Sequence, residues 1–212
     1  MTTAQAANAQ ALKRYYRLHA KVYDATRWSF LFGREKIIEL ASKNSQPKSI
    51  LEVGCGTGRN LSALAKAFPE ANITGVDLSS DMLEIADKKL QHDKDRINLL
   101  EKKYDQPLKD SDGNNEEYDL ILFSYALSMF NPGWDVAIKA AKEQLSEKGI
   151  IAVVDFQKSR FESYRNWMQV NHVRMEDHLL PELEKQFKPI INKSCKAYLG
   201  VWEYLLFIAN KK

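Results

Sequence analysis

The 212-residue chain contains only two cysteines, Cys55 and Cys195, and it has no long uninterrupted apolar segment. Two cysteines are too few for a disulfide scaffold or a Cys-rich zinc module, and they are typical of a reducing compartment. The longest apolar runs contain about seven residues, well short of the roughly 18–20 that a membrane-spanning helix needs. Residues 1–10 are polar and no apolar stretch follows them, so we expect no signal peptide. The expected location is cytoplasmic, either in solution or peripherally at the inner face of the membrane.

Composition excludes an intrinsically disordered chain, and charge gives little support for nucleic-acid binding. Hydrophobic residues make up 44% of the chain and charged residues 28%, a globular balance at the size of one domain with an appended lid. The net charge is only +3, and residues 1–40 hold seven Lys/Arg against three acidic residues. Because the remainder is then close to neutral, the basic character is local to the N-terminus, and no nucleic-acid partner is expected.

From residue 49 onward, apolar segments that indicate strands alternate with segments of helical spacing. Strands are predicted at 49–53, 73–77, 97–104, 118–124 and 150–156, and helices at 60–68, at 82–90 and from the Asn131-Pro132 cap to Glu147. The segment Ser79-Ser80-Asp81 is predicted to cap the second helix and to give it an acidic first turn. Strand–helix units at this spacing predict a parallel sheet with right-handed crossovers.

The C-terminal part of the chain departs from this alternation. Two strands are predicted there, at Cys195–Leu199 and Tyr204–Ala209, after helical material at 160–187. Because the connection around Gly200 is only a few residues long, these strands can pair antiparallel but cannot form a parallel crossover. The predicted fold class is therefore α/β and doubly wound, with a mostly parallel seven-stranded sheet and a reversed last strand.

A glycine-rich loop follows the first predicted strand, at the edge of the sheet where a nucleotide site is expected. The segment reads Glu52-Val53-Gly54-Cys55-Gly56-Thr57-Gly58, and its G-x-G-x-G spacing differs from the G-x-G-x-x-G of dinucleotide enzymes. Glu52 would repel a pyrophosphate but suits a ligand with a cationic centre. Asp77 ends the second strand, where a carboxylate can accept hydrogen bonds from both hydroxyls of a ribose. The alternative is that the glycines only turn the chain.

The segments LEVGCGTGRN and GVDLSSDML, which contain this loop and Asp77, resemble the class I S-adenosylmethionine-dependent methyltransferases. The resemblance implies that S-adenosyl-L-methionine is the cofactor of the protein. It implies the class I fold as well, in agreement with the strand pattern. The residues implied in cofactor binding are Tyr16, Arg34, Glu52, Gly54, Cys55, Gly56, Gly58, Asn60, Asp77, Leu78, Met82, Asp105, Gln106, Ser124 and Tyr125.

The same resemblance implies how these residues divide the cofactor among them. Glu52 and the glycine loop would hold its methionine end, and Asp77 would bind its ribose. Leu78 and Met82 would flank the adenine, with Asp105-Gln106 near the adenine amino group. The segment from Ser124 to Ala126, after the fourth strand, would close the pocket near the sulfonium.

Further segments resemble one subfamily, the N-methyltransferases that make the betaine lipid diacylglyceryl-trimethylhomoserine. These segments are Tyr15–Ala20, Val22–Arg34, Tyr125–Met129 and Val154–Phe156, and the resemblance is thin over 157–193. It implies successive methylation of the homoserine amine of a lipid precursor. Phosphatidylethanolamine or a small soluble amine is the alternative acceptor. Outside this class, an NAD-dependent oxidoreductase and a non-catalytic cofactor-binding module remain alternatives.

Residues 12–23 have the spacing of an amphipathic helix, with cations along one edge beside a broad aromatic and aliphatic face. Such a helix can pack on the domain as a lid over the cofactor pocket. It can also contact an anionic membrane surface, with its cations toward the lipid headgroups. We therefore predict two regions, a helical lid at 1–40 and an S-adenosylmethionine-binding domain at 41–212.

Methyl transfer from a sulfonium is an in-line displacement, in which holding the reacting atoms collinear supplies most of the effect. An amine acceptor must first lose its proton, and a quaternary ammonium product suits an aromatic cage. The residues predicted for catalysis are Tyr23, His19 and Tyr125, and those predicted for substrate contact are Tyr15, Trp28 and Asp155. Asp155 is expected to end a strand at the rim of the site. His172 and His178 lie six residues apart on a predicted helical stretch, on different faces, so no metal site is expected.

Overall fold

The computed structural model describes residues 31–212 of the chain. Strands and helices alternate through these residues, as the sequence pattern predicts. The strands are β1 (Ser49–Val53), β2 (Asn72–Asp77), β3 (Ile97–Glu101), β4 (Tyr118–Ser124), β5 (Leu145–Lys158), β6 (Phe187–Ala197) and β7 (Trp202–Lys211). The helices are α1 (Arg34–Asn44), α2 (Arg59–Ala67), α3 (Ser80–Lys89), α4 (Trp134–Gln144), α5 (Glu162–Val170) and α6 (Leu179–Gln186), with short 3-10 helices at Gln91–Asp93, Leu127–Met129 and Tyr198–Gly200.

The strands form one sheet in the order β3-β2-β1-β4-β5-β7-β6. The first five strands pair in parallel, and β7 runs antiparallel to both of its neighbours, β5 and β6. This arrangement confirms the predicted fold class, including the reversed last strand. The strand order changes direction between β1 and β4, and ligands of such sheets bind in the crevice at the carboxyl ends of these two strands.

Helices cover both faces of the sheet, which explains why its central strands are almost continuously apolar. On β4, Leu120 and Leu122 pack in one core with α1, α2 and α3, while Ile121 and Phe123 pack in the other with α4 and α6. All four side chains are at most 1% exposed. Full burial of one such side chain contributes roughly 1.5–3 kcal/mol, so both helical layers hold the central strand in place.

Two helix starts lie at the carboxyl edge of the sheet. Gly58 precedes α2 with a left-handed φ of 74°, and α2 then buries Leu61 and Leu64. Ser79 caps α3 as predicted, because its side-chain oxygen accepts a hydrogen bond from Met82 N at 3.4 Å. The helices that follow β1 and β2 therefore both begin beside the glycine loop.

The largest difference from the predicted strands is β6, which begins at Phe187 rather than at Cys195. It is the outermost strand and pairs only with β7, so most of its residues are exposed and show no clean apolar alternation. Within it only the two end residues, Phe187 and Ala197, are buried. The predicted strand end at Leu199 is also wrong, because Tyr198–Gly200 forms a turn.

Other boundaries differ for reasons of packing. α4 ends at Gln144 instead of at the predicted Glu147, because the chain enters β5 at Leu145, whose side chain is completely buried. β3 ends at Glu101, before the predicted end at Tyr104. These shifts move element ends but leave the order of strands and helices unchanged.

His172 and His178 do not share a helix, so their predicted placement on one helical stretch is wrong. His172 follows the end of α5 with a φ of 63°, and His178 is the residue that precedes α6. The chain between them is irregular. Among residues 31–212, no group of three or more His, Cys, Asp or Glu side chains is placed to hold a metal ion.

α1 lies across the predicted boundary after residue 40. The helix runs from Arg34 to Asn44 and buries its apolar side against the core. Residues 1–30, with the predicted lid helix and its basic edge, lie outside the described part of the chain. Within that described part, every helix is too short or too polar to cross a bilayer.

Candidate active site

The glycine loop (residues 54–58) connects β1 to α2 at the carboxyl edge of the sheet. Gly54, Gly56 and Gly58 all have left-handed φ angles, of 75°, 54° and 74°. A Cβ on Gly54 would lie 2.7 Å from Ala126 Cβ, whereas a Cβ on Gly56 would meet nothing within 4 Å. The glycine loop is therefore packed tightly at Gly54 against the β4–α4 loop (residues 125–133). Beside Gly56 it has open space for a ligand.

Asp77 ends β2 next to this loop, and two backbone amides fix its carboxylate. Oδ2 accepts a hydrogen bond from Gly56 N at 2.8 Å, and Oδ1 accepts one from Ser79 N at 2.9 Å. Burial raises the pKa of the Asp77 carboxyl, while these amides oppose that rise. The backbone amide of Leu78 also acts as a donor to this carboxyl. Because a carboxylate has about four acceptor positions, it keeps capacity for a ribose hydroxyl.

Glu52 is a buried carboxyl inside β1 with one unsatisfied oxygen. Oε1 accepts a hydrogen bond from Asn60 Nδ2 at 2.7 Å, while Oε2 is buried without a hydrogen-bond partner among the described residues. Burial raises the pKa of Glu52 to about 8, and the bond from Asn60 and the charge of Arg34 act against that rise. Buried polar atoms are nearly always hydrogen-bonded in native proteins, so this oxygen indicates a cationic or hydrogen-donating group of a ligand.

Three further residues predicted for cofactor binding surround these carboxylates. Met82 is buried in the first turn of α3, and Leu78 is half-buried between β2 and α3. Both are apolar, as residues that flank an adenine should be. Cys55 is buried in the glycine loop, and burial raises the pKa of its thiol well above the ordinary value. The thiol therefore stays protonated at neutral pH and acts as a small packing group.

The predicted residues after β3 and β4 differ in how deeply they are placed. Asp105 is partly exposed and forms an ion pair with Lys103, with Oδ2 and Nζ 2.8 Å apart, and Gln106 is exposed. Ser124 is buried at the end of β4, and its Oγ has no hydrogen-bond partner within the described part of the chain. Ser124 therefore offers a hydroxyl at the crevice, whereas the role of Asp105 and Gln106 at the adenine stays a prediction.

Tyr125 is buried and has a left-handed φ of 57° directly after β4. Its hydroxyl donates a hydrogen bond to Phe32 O at 2.7 Å, and its ring meets Phe156 edge-on at 4.7 Å. Burial raises the pKa of Tyr125, so its hydroxyl stays protonated at neutral pH. Tyr125 thus ties the segment before α1 to the end of β4 as part of the wall of the site, and a catalytic role for it stays a prediction.

Asp155 is completely buried in β5. It directly follows Val154, which pairs with Ser124 at the end of β4. The expectation that it ends a strand is wrong, because β5 continues to Lys158 in pairing with β7. Oδ2 accepts a hydrogen bond from Ser128 N at 3.1 Å, and Oδ1 accepts one from Phe156 N at 2.8 Å. Burial raises the pKa of Asp155 to about 6. Its carboxylate holds the β4–α4 loop in place, and a contact with substrate stays a prediction.

The structure thus brings together the predicted residues of β1, the glycine loop, β2 and α3. Arg34, at the start of α1, joins them through its charge on Glu52. Several predicted residues lie outside the described part of the chain, namely Tyr15, Tyr16, His19, Tyr23 and Trp28.

A cavity of about 500 Å³, which is not among the sequence-based predictions, lies beside the β4–α4 loop. We call it the α5 cavity, because its walls are that loop, α5 and residues 172–176. Phe130, in the same loop, has its ring 3.9 Å from where a Cβ of Gly54 would lie. One loop therefore separates the glycine loop from the α5 cavity. No local motif could have indicated this cavity, because its walls come from segments that are distant in sequence.

Residues 50–149, from β1 into β5, match the family model of a methyltransferase domain. Malonyl-[acyl-carrier protein] O-methyltransferase of Priestia megaterium is 35% identical over 157 residues, which are 73% of this chain and 54% of the relative. Demethylmenaquinone methyltransferase of Thermotoga maritima is 28% identical over 141 residues, which are 64% of this chain and 57% of the relative. The chain therefore spans about half the length of these curated relatives.

Solved structures share the fold over most of the chain. The N-methyltransferase NodS from Bradyrhizobium japonicum WM9, in complex with S-adenosylhomocysteine, has a TM-score of 0.68 at 17% identity and covers 84% of this chain and 85% of its own. The 1,6-didemethyltoxoflavin-N1-methyltransferase of Burkholderia thailandensis has a TM-score of 0.74 at 14% identity and covers 100% of this chain and 92% of its own.

These comparisons define the class of the fold, which is that of the class I methyltransferases. Together with the matched domain they agree with the predicted cofactor, S-adenosylmethionine. The named relatives and neighbours include both O- and N-methyltransferases. None of the proteins named above is a betaine lipid methyltransferase, so the acceptor belongs to the proposal that follows.

Proposed function

We propose that the chain is an S-adenosylmethionine-dependent methyltransferase. The observation that carries this proposal is the buried Oε2 of Glu52, which has no hydrogen-bond partner among residues 31–212. Glu52 lies only two residues before Gly54, the first residue of the glycine loop. A cationic group is what such a carboxylate would bind, and the cofactor carries an ammonium and a sulfonium. Asp77 adds an independent feature, because its fixed carboxylate suits the hydroxyls of a ribose.

Within this proposal, each element of the site has a defined task. Glu52 interacts with the cationic methionine end, and Asp77 accepts hydrogen bonds from the ribose hydroxyls. Leu78 and Met82 flank the adenine, and the open space beside Gly56 lets the backbone approach the ligand closely. The bound cofactor supplies an electrophilic methyl group. The chain then acts mainly by positioning, because an in-line displacement needs collinear reacting atoms more than it needs covalent help.

We further propose an amine acceptor, the homoserine amine of a betaine lipid precursor, methylated in successive rounds. The support is the resemblance of Tyr125–Met129 and Val154–Phe156 to that subfamily. The first segment follows β4 directly, and the second lies in β5 where its parallel pairing with β4 ends. Phosphatidylethanolamine or a small soluble amine, the alternative acceptors, would contact the same two segments. A lipid acceptor would require peripheral contact with the inner face of the membrane, where an anionic surface would attract the basic edge of residues 12–23.

A second candidate is O-methylation of a carboxylate. The observation that favours it is the 35% identity over 157 residues to the malonyl-[acyl-carrier protein] O-methyltransferase of Priestia megaterium. A carboxylate is already ionised at neutral pH. This candidate therefore needs no general base, whereas an amine must be deprotonated before it can attack.

Methyl transfer to defined acceptors tests these proposals. The protein is incubated with cofactor labelled in the methyl group and, in parallel, with a total lipid extract, with diacylglyceryl-homoserine and with a malonyl thioester of acyl carrier protein. Label in diacylglyceryl-homoserine supports the amine proposal, and label in the malonyl thioester supports the second candidate. Absence of label from all three would overturn both acceptor proposals.

Thermal unfolding with each cofactor separates the methyltransferase from the oxidoreductase alternative. S-adenosylhomocysteine should raise the unfolding temperature, because a ligand that binds only the folded state stabilises it. NAD should leave that temperature unchanged, because the G-x-G-x-G spacing of the loop differs from the G-x-G-x-x-G of dinucleotide enzymes. The reverse pattern would overturn the proposed class.

A further inference from the structure

Among residues 31–212, the charged side chains that line the α5 cavity leave one arginine without an acidic partner. Arg174 forms an ion pair with Glu176 at 2.7 Å, and Asp135 forms one with Lys139 at 3.6 Å. Arg165 lines the same cavity, and its Nη1 donates a hydrogen bond to Ser159 O at 2.7 Å, with no carboxylate within 4.0 Å among the described residues. We infer that the α5 cavity binds a carboxylate of the methyl acceptor through Arg165, an inference that rests on the proposed methyltransferase function.

Arg165 is held in a fixed position by the end of β5. Ser159, which accepts its hydrogen bond, is buried, and Ser159 Oγ donates to Val201 O at 2.6 Å. The same Oγ accepts a hydrogen bond from Phe161 N at 3.2 Å, which ties the start of α5 to β5 and to the chain just before β7. A guanidinium has about five N–H donors in a rigid fork, so the bond to Ser159 leaves most of them for a ligand. That fork matches the two oxygens of a carboxylate.

The β4–α4 loop places the α5 cavity close to the proposed cofactor site. Ser128 fixes this loop on two sides, because its N–H donates to Asp155 and its carbonyl accepts hydrogen bonds from Arg174 N at 2.9 Å and from Asn131 Nδ2 at 2.7 Å. The ring of Phe130, two residues further on, lies 3.9 Å from where a Cβ of Gly54 would be. The β4–α4 loop therefore lies between the α5 cavity and the glycine loop, where the cofactor is proposed to bind.

The size and charge of the cavity indicate the class of ligand. A volume of about 500 Å³ is in the usual range of small-molecule sites. A guanidinium without an acidic partner among residues 31–212 suits a single planar carboxylate. The homoserine headgroup carries a carboxylate that is separate from its methyl-accepting amine, so Arg165 could hold that acceptor without blocking the reacting nitrogen. In a malonyl thioester the one free carboxylate is the methyl acceptor itself, so this contact favours the amine acceptor.

Binding of small carboxylates can be measured without turnover. Trp134 lines the α5 cavity, so its fluorescence should report a ligand there, and Trp134→Phe identifies its share of the signal. Malonate and homoserine are titrated separately into the full chain saturated with S-adenosylhomocysteine, with malonamide as the uncharged control. The variants are Arg165→Gln, Arg165→Lys and, as the matched control, Arg160→Gln, which removes an arginine that stacks on Phe161 outside the cavity lining.

We expect malonate or homoserine, but not malonamide, to change the Trp134 signal. Arg165→Gln should weaken that binding at least about tenfold, as loss of a charge-assisted pair predicts, Arg165→Lys should restore part of it, and Arg160→Gln should leave it unchanged. The affinity for S-adenosylhomocysteine, measured by calorimetry, should be the same in all variants. Equal binding in Arg165→Gln, an equal loss in Arg160→Gln, or no response to either carboxylate in the unmodified protein would overturn the inference. Failure to bind S-adenosylhomocysteine would instead overturn the proposed function.

Discussion

Glu52 should release a proton when the cofactor binds. Burial raises its pKa to about 8 in the ligand-free protein, so at pH 7 roughly 90% of the molecules carry the proton. The cationic methionine end of S-adenosylmethionine or S-adenosylhomocysteine favours the carboxylate and lowers this pKa. Binding at pH 7 is then accompanied by release of up to about 0.9 proton. The affinity should therefore rise with pH, by up to about tenfold per pH unit, until the pH reaches about 8.

Isothermal titration calorimetry measures this release directly. S-adenosylhomocysteine is titrated at pH 7 in phosphate and in Tris, which differ in their enthalpy of ionisation, and the difference in apparent binding enthalpy gives the number of protons released. Titrations from pH 6 to pH 8 give the slope of affinity against pH. The matched variant is Glu52→Gln, which keeps an amide oxygen for Asn60 Nδ2 but cannot titrate.

The reasoning is refuted if the apparent enthalpy of the unmodified protein is the same in both buffers. It is also refuted if Glu52→Gln retains the same buffer dependence, because the proton would then come from another group. The same pKa predicts a second effect in the ligand-free protein. A carboxyl with a raised pKa stabilises the fold at low pH and loses that contribution as the pH rises from about 4.5 through about 8, so Glu52→Gln should be more stable at pH 9 by up to roughly 3–5 kcal/mol.

Three other predictions test the packing and the ligand contacts of the site. Asp77→Ala should weaken S-adenosylhomocysteine binding at least about tenfold, since hydrogen bonds to a charged group contribute about 1.5–3 kcal/mol; an unchanged calorimetric affinity would place the ribose elsewhere. Gly54→Ala should destabilise the protein more than Gly56→Ala in urea unfolding, because both have a left-handed φ but only the former puts Cβ 2.7 Å from another side chain; equal losses would contradict this packing. Tyr125→Phe should cost about 1 kcal/mol of stability with little change in cofactor affinity, and a tenfold loss of affinity would instead place its hydroxyl on the cofactor.

The glycine loop and Asp77 could be predicted from the sequence because their geometry is local. Each lies at the end of a short apolar strand and just before a helix start, and this order alone places them at one edge of a parallel sheet. The cap at Ser79 follows from the same local reasoning and is confirmed. The free oxygen of Glu52 could not be predicted, because it depends on how completely the surrounding helices bury that carboxyl.

Features that depend on distant segments were missed. β6 is an exposed edge strand, so its residues from Phe187 to Ala197 lack the apolar pattern by which a buried strand is identified. The α5 cavity brings together Asn131, Arg165 and Arg174 from three separate segments. Nothing in the local sequence marks Arg165, since its significance comes from lacking, within the described part of the chain, an acidic partner like the one Arg174 has.

A crystal structure with S-adenosylhomocysteine tests the central claim most directly. We expect the two ribose hydroxyls within hydrogen-bond distance of the Asp77 carboxylate, and the amino group of the ligand on the side of Glu52 Oε2. A ligand bound away from the glycine loop, or one that leaves both carboxylates without contact, would contradict the account.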